Sequence, residues 1–361
     1  MLLALSLIFV FIVGAAVGSF LNVAIARLPL EKSLIWPNSR CGFCLQSICW
    51  YDNLPVLSYL WLRGRCRTCG QSYSIVYLLV ELGTALGFVG MFYVEVVENV
   101  HDWPGVAPLA IRFGFPLTSW LGFAWHALLF SFLMAASVCD LRSREIPLQL
   151  TMTGTVIGLI GAILMPWPFP HTSGLVLTNP PPAAPDIFLH PDTLIRQGIY
   201  SWPFWGPLPK WAGEGELLTG LLTGLAGALV GTFMLRAVGF LFSTGLGKEA
   251  LGLGDADLMM MAGSFLGWQI VVVAFFLSVI PALLFGIIQW VVHKDTSLPF
   301  GPSLSLSVIA TCLAWRPIGG VVRLYFFWGA ILFWAVVFCA VMLFVMSYML
   351  RLIRHKEEPH P

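Results

Sequence analysis

Apolar runs on the scale of a lipid bilayer recur along almost the whole chain, and they limit its possible folds more than any other feature. Runs near residues 2–25, 73–95, 119–139, 147–165, 216–243, 257–292, 303–315 and 325–350 are nearly free of charge. A hydrocarbon layer of about 30 Å is crossed by about 20 such residues as a helix, where the backbone must satisfy its own hydrogen bonds. The sixth run is long enough for two helices, and Gly267, Trp268 and Gln269 interrupt it. The expected fold class is an all-α polytopic membrane protein with about nine transmembrane helices. With 58% of its 361 residues hydrophobic and only 10% charged, the chain has too little polar surface to clothe a soluble globule. A net charge of +1 leaves no basic excess for a phosphate backbone, which argues against nucleic-acid binding.

An odd number of spans puts the termini on opposite sides, and Lys and Arg choose the sense. With the N-terminus outside, the inner segments collect Arg27, Lys32, Arg40, Arg63, Arg65, Arg67, Arg142, Arg144, Lys248, Lys294 and the basic C-terminal residues. The outer ones keep Arg112, Arg196, Lys210, Arg316 and Arg323. The C-terminus is therefore expected in the cytosol. Ala24-Ile25-Ala26 resembles a signal peptidase site, but no cation precedes the apolar run, so residues 1–25 are read as the first transmembrane helix. Residues 26–72 then form a cytosolic module and 73–350 a helical membrane core. That core carries a Pro-, Trp- and Gly-rich outer loop over 166–215, and 351–361 form a cytosolic tail.

The module holds five of the eight cysteines. Cys41-Gly-Phe-Cys44 and Cys66-Arg-Thr-Cys69 are two CxxC pairs separated by residues 45 through 65, a spacing suited to a four-thiolate zinc site of structural type. Gly42 and Gly70 are expected to supply backbone freedom for the turns. Four thiolates around a dication leave a charge of minus two, which Arg40, Arg63, Arg65 and Arg67 stand near enough in sequence to offset. A pair of disulfides is the alternative, and it needs an oxidising compartment.

Two acids mark places where apolar helices meet the inner face. Asp140 ends the third run in Ala135-Ala-Ser-Val-Cys-Asp140-Leu-Arg, and Asp255 opens the sixth in Leu251-Gly-Leu-Gly-Asp255. Carboxylates so placed are costly and point to chemistry. Each alone is also consistent with a solvated interfacial acid. Together they suit peptide hydrolysis, in which one carboxylate deprotonates water while the other, protonated, polarises the scissile carbonyl. Gly252 and Gly254 are expected to bend the backbone and let an extended substrate approach. Asp140 lies at a helix C-terminus and Asp255 near an N-terminus, so Asp140 is expected to carry the shared proton.

These segments resemble the bacterial type IV prepilin peptidases, the leader peptidase/N-methyltransferases of the GxGD aspartic protease class. The resemblance runs through Gly18-Ser-Phe-Leu-Asn-Val-Ala-Ile-Ala-Arg-Leu-Pro29, both CxxC pairs, Asp52-Asn-Leu-Pro-Val-Leu-Ser58, Tyr77-Leu-Leu-Val-Glu81-Leu, Gly247-Lys-Glu-Ala-Leu-Gly-Leu-Gly-Asp255 and Leu298-Pro-Phe-Gly-Pro302. It implies cleavage of leader peptides from prepilins and type II secretion pseudopilins at the cytosolic face of the inner membrane, with Asp140 and Asp255 catalytic. It also implies N-methylation with S-adenosylmethionine, although no separate nucleotide-binding motif is present. Asp257 stands where the family usually has Lys, and like-charge repulsion from it would raise the pKa of its neighbour. Glu81 is read as a structural hydrogen-bond acceptor or a partner for a cation. The rival readings are a transporter or assembly protein, whose acids belong near the bilayer midplane, and a GxGD protease with other substrates.

Overall fold

The computed structural model describes residues 1–36, 38–101, 114–164, 217–246, 252–293, 299–315, 317–318, 322 and 329–357; the loop expected over 166–215 lies outside them. Each apolar run falls on helix: α1 (Leu2–Arg27), α3 (Val76–Phe92), α4 (Leu117–Ser143), α5 (Leu148–Leu164), α6 (Leu217–Leu246), α7 (Leu253–Leu266), α8 (Trp268–Leu277), α9 (Val279–His293), α10 (Gly301–Leu313) and α11 (Gly329–Glu357). A short α2 (Leu57–Trp61) lies in the cysteine segment. The last helix continues into the stretch expected as tail.

Among the described residues, five helical stretches are long and apolar enough to cross a membrane: Leu2–Leu30, Val76–Val97, Leu117–Ser143, Leu217–Gly245 and Trp268–Gln289. Four of the nine expected spans lie outside these five: α5 with 17 residues, α11 with its apolar stretch Trp334–Met349, and the shortest two, α7 and α10. These two have 14 and 13 residues, about 20 Å of helix at 1.5 Å per residue, short of the hydrocarbon thickness. The break at Gly267 occurs as expected, with φ 80°. A second break at Ser278, between α8 and α9, was not foreseen. Its signal is Pro281, whose ring opposes the carbonyl four residues back, at Leu277, the last residue of α8.

The chain forms two compact units. The first comprises residues 1–151 and 297–305, the second 152–296 and 306–361. In the first unit α1 packs along α3. A Cβ at Gly14 would lie 2.8 Å from Ala85 Cα, and one at Gly18 2.7 Å from Glu81 Cα. The Gly14-Ala-Ala-Val-Gly18 spacing therefore brings two backbones together, the means by which helices associate where no water drives burial. Asn22 Nδ2 closes the same seam on the Tyr77 carbonyl at 2.9 Å. Phe88 and Phe92 of α3 meet Phe123 of α4 edge to face, with centroids 6.0 and 5.3 Å apart. In the second unit α6 repeats the device: Gly227 lies against Gly263, and Gly231 against the Met259 carbonyl of α7. α11 packs on α6, where Gly245 adjoins Ser347.

Candidate functional site

The two CxxC segments fold as near copies. Cys41 N–H donates to the Gln46 carbonyl at 2.9 Å, and Cys66 N–H to that of Gln71 at 2.8 Å. Isolated bridges pair Arg40 with Ser47 and Arg65 with Ser72. Each turn needs one residue in the left-handed region, and these are Leu45 at φ 58° and Gly70 at φ 71°. The expectation for Gly70 therefore holds, but in the first turn the position falls on Leu45 and not on Gly42. A left-handed non-glycine residue costs about 1–2 kcal/mol.

The four sulfurs gather within 4.8 Å of one another. Cys41 Sγ and Cys69 Sγ are 3.8 Å apart, and all four cysteines are free thiols, so the disulfide alternative is not realised. Zn–S bonds of about 2.3 Å at tetrahedral angles set sulfurs about 3.8 Å apart, so this donor set fits zinc. The backbone N–H groups of Cys69 and Thr68 hold the Cys66 thiol down at about 6. Those of Cys44 and Phe43 lower Cys41 in the same way. Cys69, despite the Gln71 N–H, is pushed up to about 11 by burial and its neighbouring thiols. Arg67, expected to offset the thiolates, has its guanidinium on Asp52, with Nε 2.8 Å from Oδ2, and keeps that carboxyl below its ordinary range.

Glu81 is a structural acceptor, its Oε2 taking the N–H of Val56 at 2.7 Å. Val56 has φ 63°, another left-handed non-glycine residue held by this bond. Between the cysteine segment, α1, α3 and the end of α4 lies a half-open cavity of about 510 Å³, lined in part by Asn22, Arg27, Arg65, Tyr77, Glu81 and Arg142.

Asp140 sits in the last turn of α4, 7% exposed. Its Oδ2 accepts the N–H of Gly301, the first residue of α10, at 2.9 Å. A side chain at Gly301 would put Cβ 2.7 Å from that oxygen, so only glycine lets the amide reach it. Asp140 thus lies at the negative end of its own helix and the positive end of another. The two dipoles oppose each other there, while Asp255 keeps the N-terminal place expected of it.

Asp255 belongs to the other unit. It lies in the first turn of α7, 9% exposed. Gly252 precedes the helix at φ −71° and ψ 146°, a conformation open to any residue, so the backbone bend expected of it is not its role. Its Cβ would stand 3.7 Å from Asp255 Oδ2, so what glycine leaves there is space beside the carboxylate. Gly254 is already helical. Asp257 is not an unbalanced charge, since Arg236 of α6 donates to its Oδ1 at 3.1 Å. In the sequence Arg236 is a lone cation within the apolar run 216–243. Nothing in the spacing joins it to Asp257, because the pairing is made by the packing of α6 on α7.

Residues 12–94 match the Bacterial Peptidase A24 N-terminal domain, and residues 210–287 match the Type IV leader peptidase family. The chain is 31% identical over 319 residues to the "Type 4 prepilin-like proteins leader peptide-processing enzyme" of Escherichia coli, covering 82% of this chain and 90% of that protein. It is 28% identical to the "Prepilin leader peptidase/N-methyltransferase" of Pseudomonas putida, over 82% of this chain and 86% of the relative. It is 30% identical to the protein of that name from Klebsiella pneumoniae, over 72% and 85%. No solved structure matches the chain.

Proposed function

Because the chain belongs to the type IV leader peptidase family, we propose that it is a membrane aspartic endopeptidase that removes leader peptides from type IV prepilins and type II secretion pseudopilins. The observation that carries this reading is a pair of largely buried aspartates, Asp140 and Asp255, at the ends of helices in an otherwise apolar chain. In the proposed reaction one carboxylate takes a proton from water as the oxygen attacks the scissile carbonyl. The other, protonated, donates to the carbonyl oxygen; the first then passes its newly gained proton to the leaving amine as the C–N bond breaks, and the diol hydroxyl returns a proton to the second. The leader departs with the new carboxylate and the pilin keeps the new amine. The bare edge left by Gly252 and Gly254 would admit the extended substrate backbone beside Asp255.

Zinc in the Cys41, Cys44, Cys66 and Cys69 site would crosslink the two turns and leave no position for substrate, so its role here is structural. The new N-terminus is then methylated, with S-adenosylmethionine the proposed methyl donor. The 510 Å³ cavity lies within the range that holds small ligands. Its lining mixes the cations Arg27 and Arg142 with the acid Glu81, which suits a zwitterionic amino-acid group. The charge bias supports an inner-membrane orientation with the N-terminus outside and both aspartates at the cytosolic face. The test is incubation of the purified chain with a tagged prepilin, read by intact mass. Loss of the leader, then a gain of one methyl group when S-adenosylmethionine is added, is the expected result. An uncut prepilin would refute the peptidase reading.

A further inference from the structure

The cavity, the cysteine module and the aspartates leave one cluster of titratable groups unused. Directly after α3 the chain forms a π-turn over Tyr93–Val97, a distortion that often marks a functional position. It carries Glu95, a carboxylate with no solvent exposure inside an apolar seam. Its Oε1 lies 2.7 Å from His126 Nδ1 of α4 and 3.5 Å from His101 Nε2. The two imidazole rings are 5.5 Å apart, and the three donor atoms lie within 4.8 Å of one another. His126 is fully buried and the His101 side chain 1% exposed. Glu95 Oε2 is buried without a hydrogen-bond partner among the described residues.

A carboxylate taken out of water is expensive unless its charge is met. One imidazole N–H can serve Oε1, yet that leaves Oε2 unserved at a cost of about 1–3 kcal/mol. A divalent ion meets the charge and engages both neutral imidazoles as well. Two nitrogens and one carboxylate oxygen are donors that first-row ions of the zinc type select. Bonds of about 2.0–2.1 Å at tetrahedral angles set neighbouring donors about 3.3 Å apart, and the separations of 2.7 and 3.5 Å bracket that value. We propose that Glu95, His101 and His126 belong to a second zinc site that fastens the end of α3 to α4. The site is separate from Asp140: about 21 Å of helix lies between it and His126 at 1.5 Å per residue.

The full chain, purified in detergent, is analysed for zinc by mass spectrometry. We expect two ions per chain in the wild type, one in a variant with all four module cysteines changed to Ser, and one in Glu95→Gln and in His126→Ala. Because a variant can lose metal by misfolding, X-ray absorption on the wild-type chain supplies the second measurement. The expected zinc edge shows mixed sulfur and nitrogen/oxygen neighbours. Loss of sulfur alone would indict the cysteine site and leave this proposal standing. A pure four-sulfur shell, or an unchanged zinc content in a Glu95→Gln chain that still cleaves prepilin, would overturn it.

Discussion

The surroundings of Asp140 and Asp255 differ in what holds each carboxylate. Asp140 is fixed by backbone, through the Gly301 amide that opens α10. Asp255 has open space on the Gly252 side and a second acid, Asp257, whose charge is met by the Arg236 side chain. The Asp140 site therefore tolerates almost no change of shape at Gly301, while beside Asp255 there is room and the neighbouring acid is already balanced. Backbone contacts cannot be replaced by a different side chain, whereas a lost ion pair can be rebuilt.

The largest effect tests what the two sites share. On the proposed mechanism, in which each supplies an acid–base group, Asp140→Asn and Asp255→Asn should each lower prepilin cleavage on the order of 10²–10⁴-fold or more. Substantial turnover by either variant would break the pairing. Gly301→Ala comes next, because the added Cβ displaces the Asp140 carboxylate from its amide. Loss of a hydrogen bond to a charged group costs about 1.5–3 kcal/mol, so kcat/KM should fall roughly 10- to 100-fold with little change in melting temperature. Arg236→Ala should cost less, about 2- to 5-fold, since this ion pair is half exposed on the Arg side. Arg236→Lys should restore the rate. Smallest is Asp257→Asn, expected within about twofold of wild type if Arg236 already meets that charge. The double variant Arg236→Ala/Asp257→Asn should match Asp257→Asn alone. A double variant as poor as Arg236→Ala would show that Arg236 acts on something other than Asp257.

Much of this is legible in the sequence, because bilayer helices and CxxC turns are written locally. The run lengths mark the helices, and the Gly267 break follows from three consecutive interrupting residues. What escaped was set by contacts between distant segments. Gly301 belongs to a stretch singled out in the sequence, yet its purpose is visible only against Asp140. Arg236 reads as a lone cation until α6 packs on α7. Leu45 gives no sign that it will occupy the left-handed position that its counterpart Gly70 fills without strain. Glu95, His101 and His126 share no recognisable spacing, since a π-turn and two separate segments bring them together. The number of spans is set by helix length as well as hydropathy, and α7 and α10 are apolar but short.

The close seam of α1 and α3 has a consequence for the cysteine module that grows between them. Residues 28–75 are a loop whose two feet are already clamped by Gly14, Gly18 and Asn22. The chain entropy of closing that loop is therefore met by the membrane stem before any ion arrives, leaving the metal only the short search that brings one turn to the other. A chelator should melt the cap and leave its stem standing, so the module can be emptied and refilled while the protein stays folded in the bilayer.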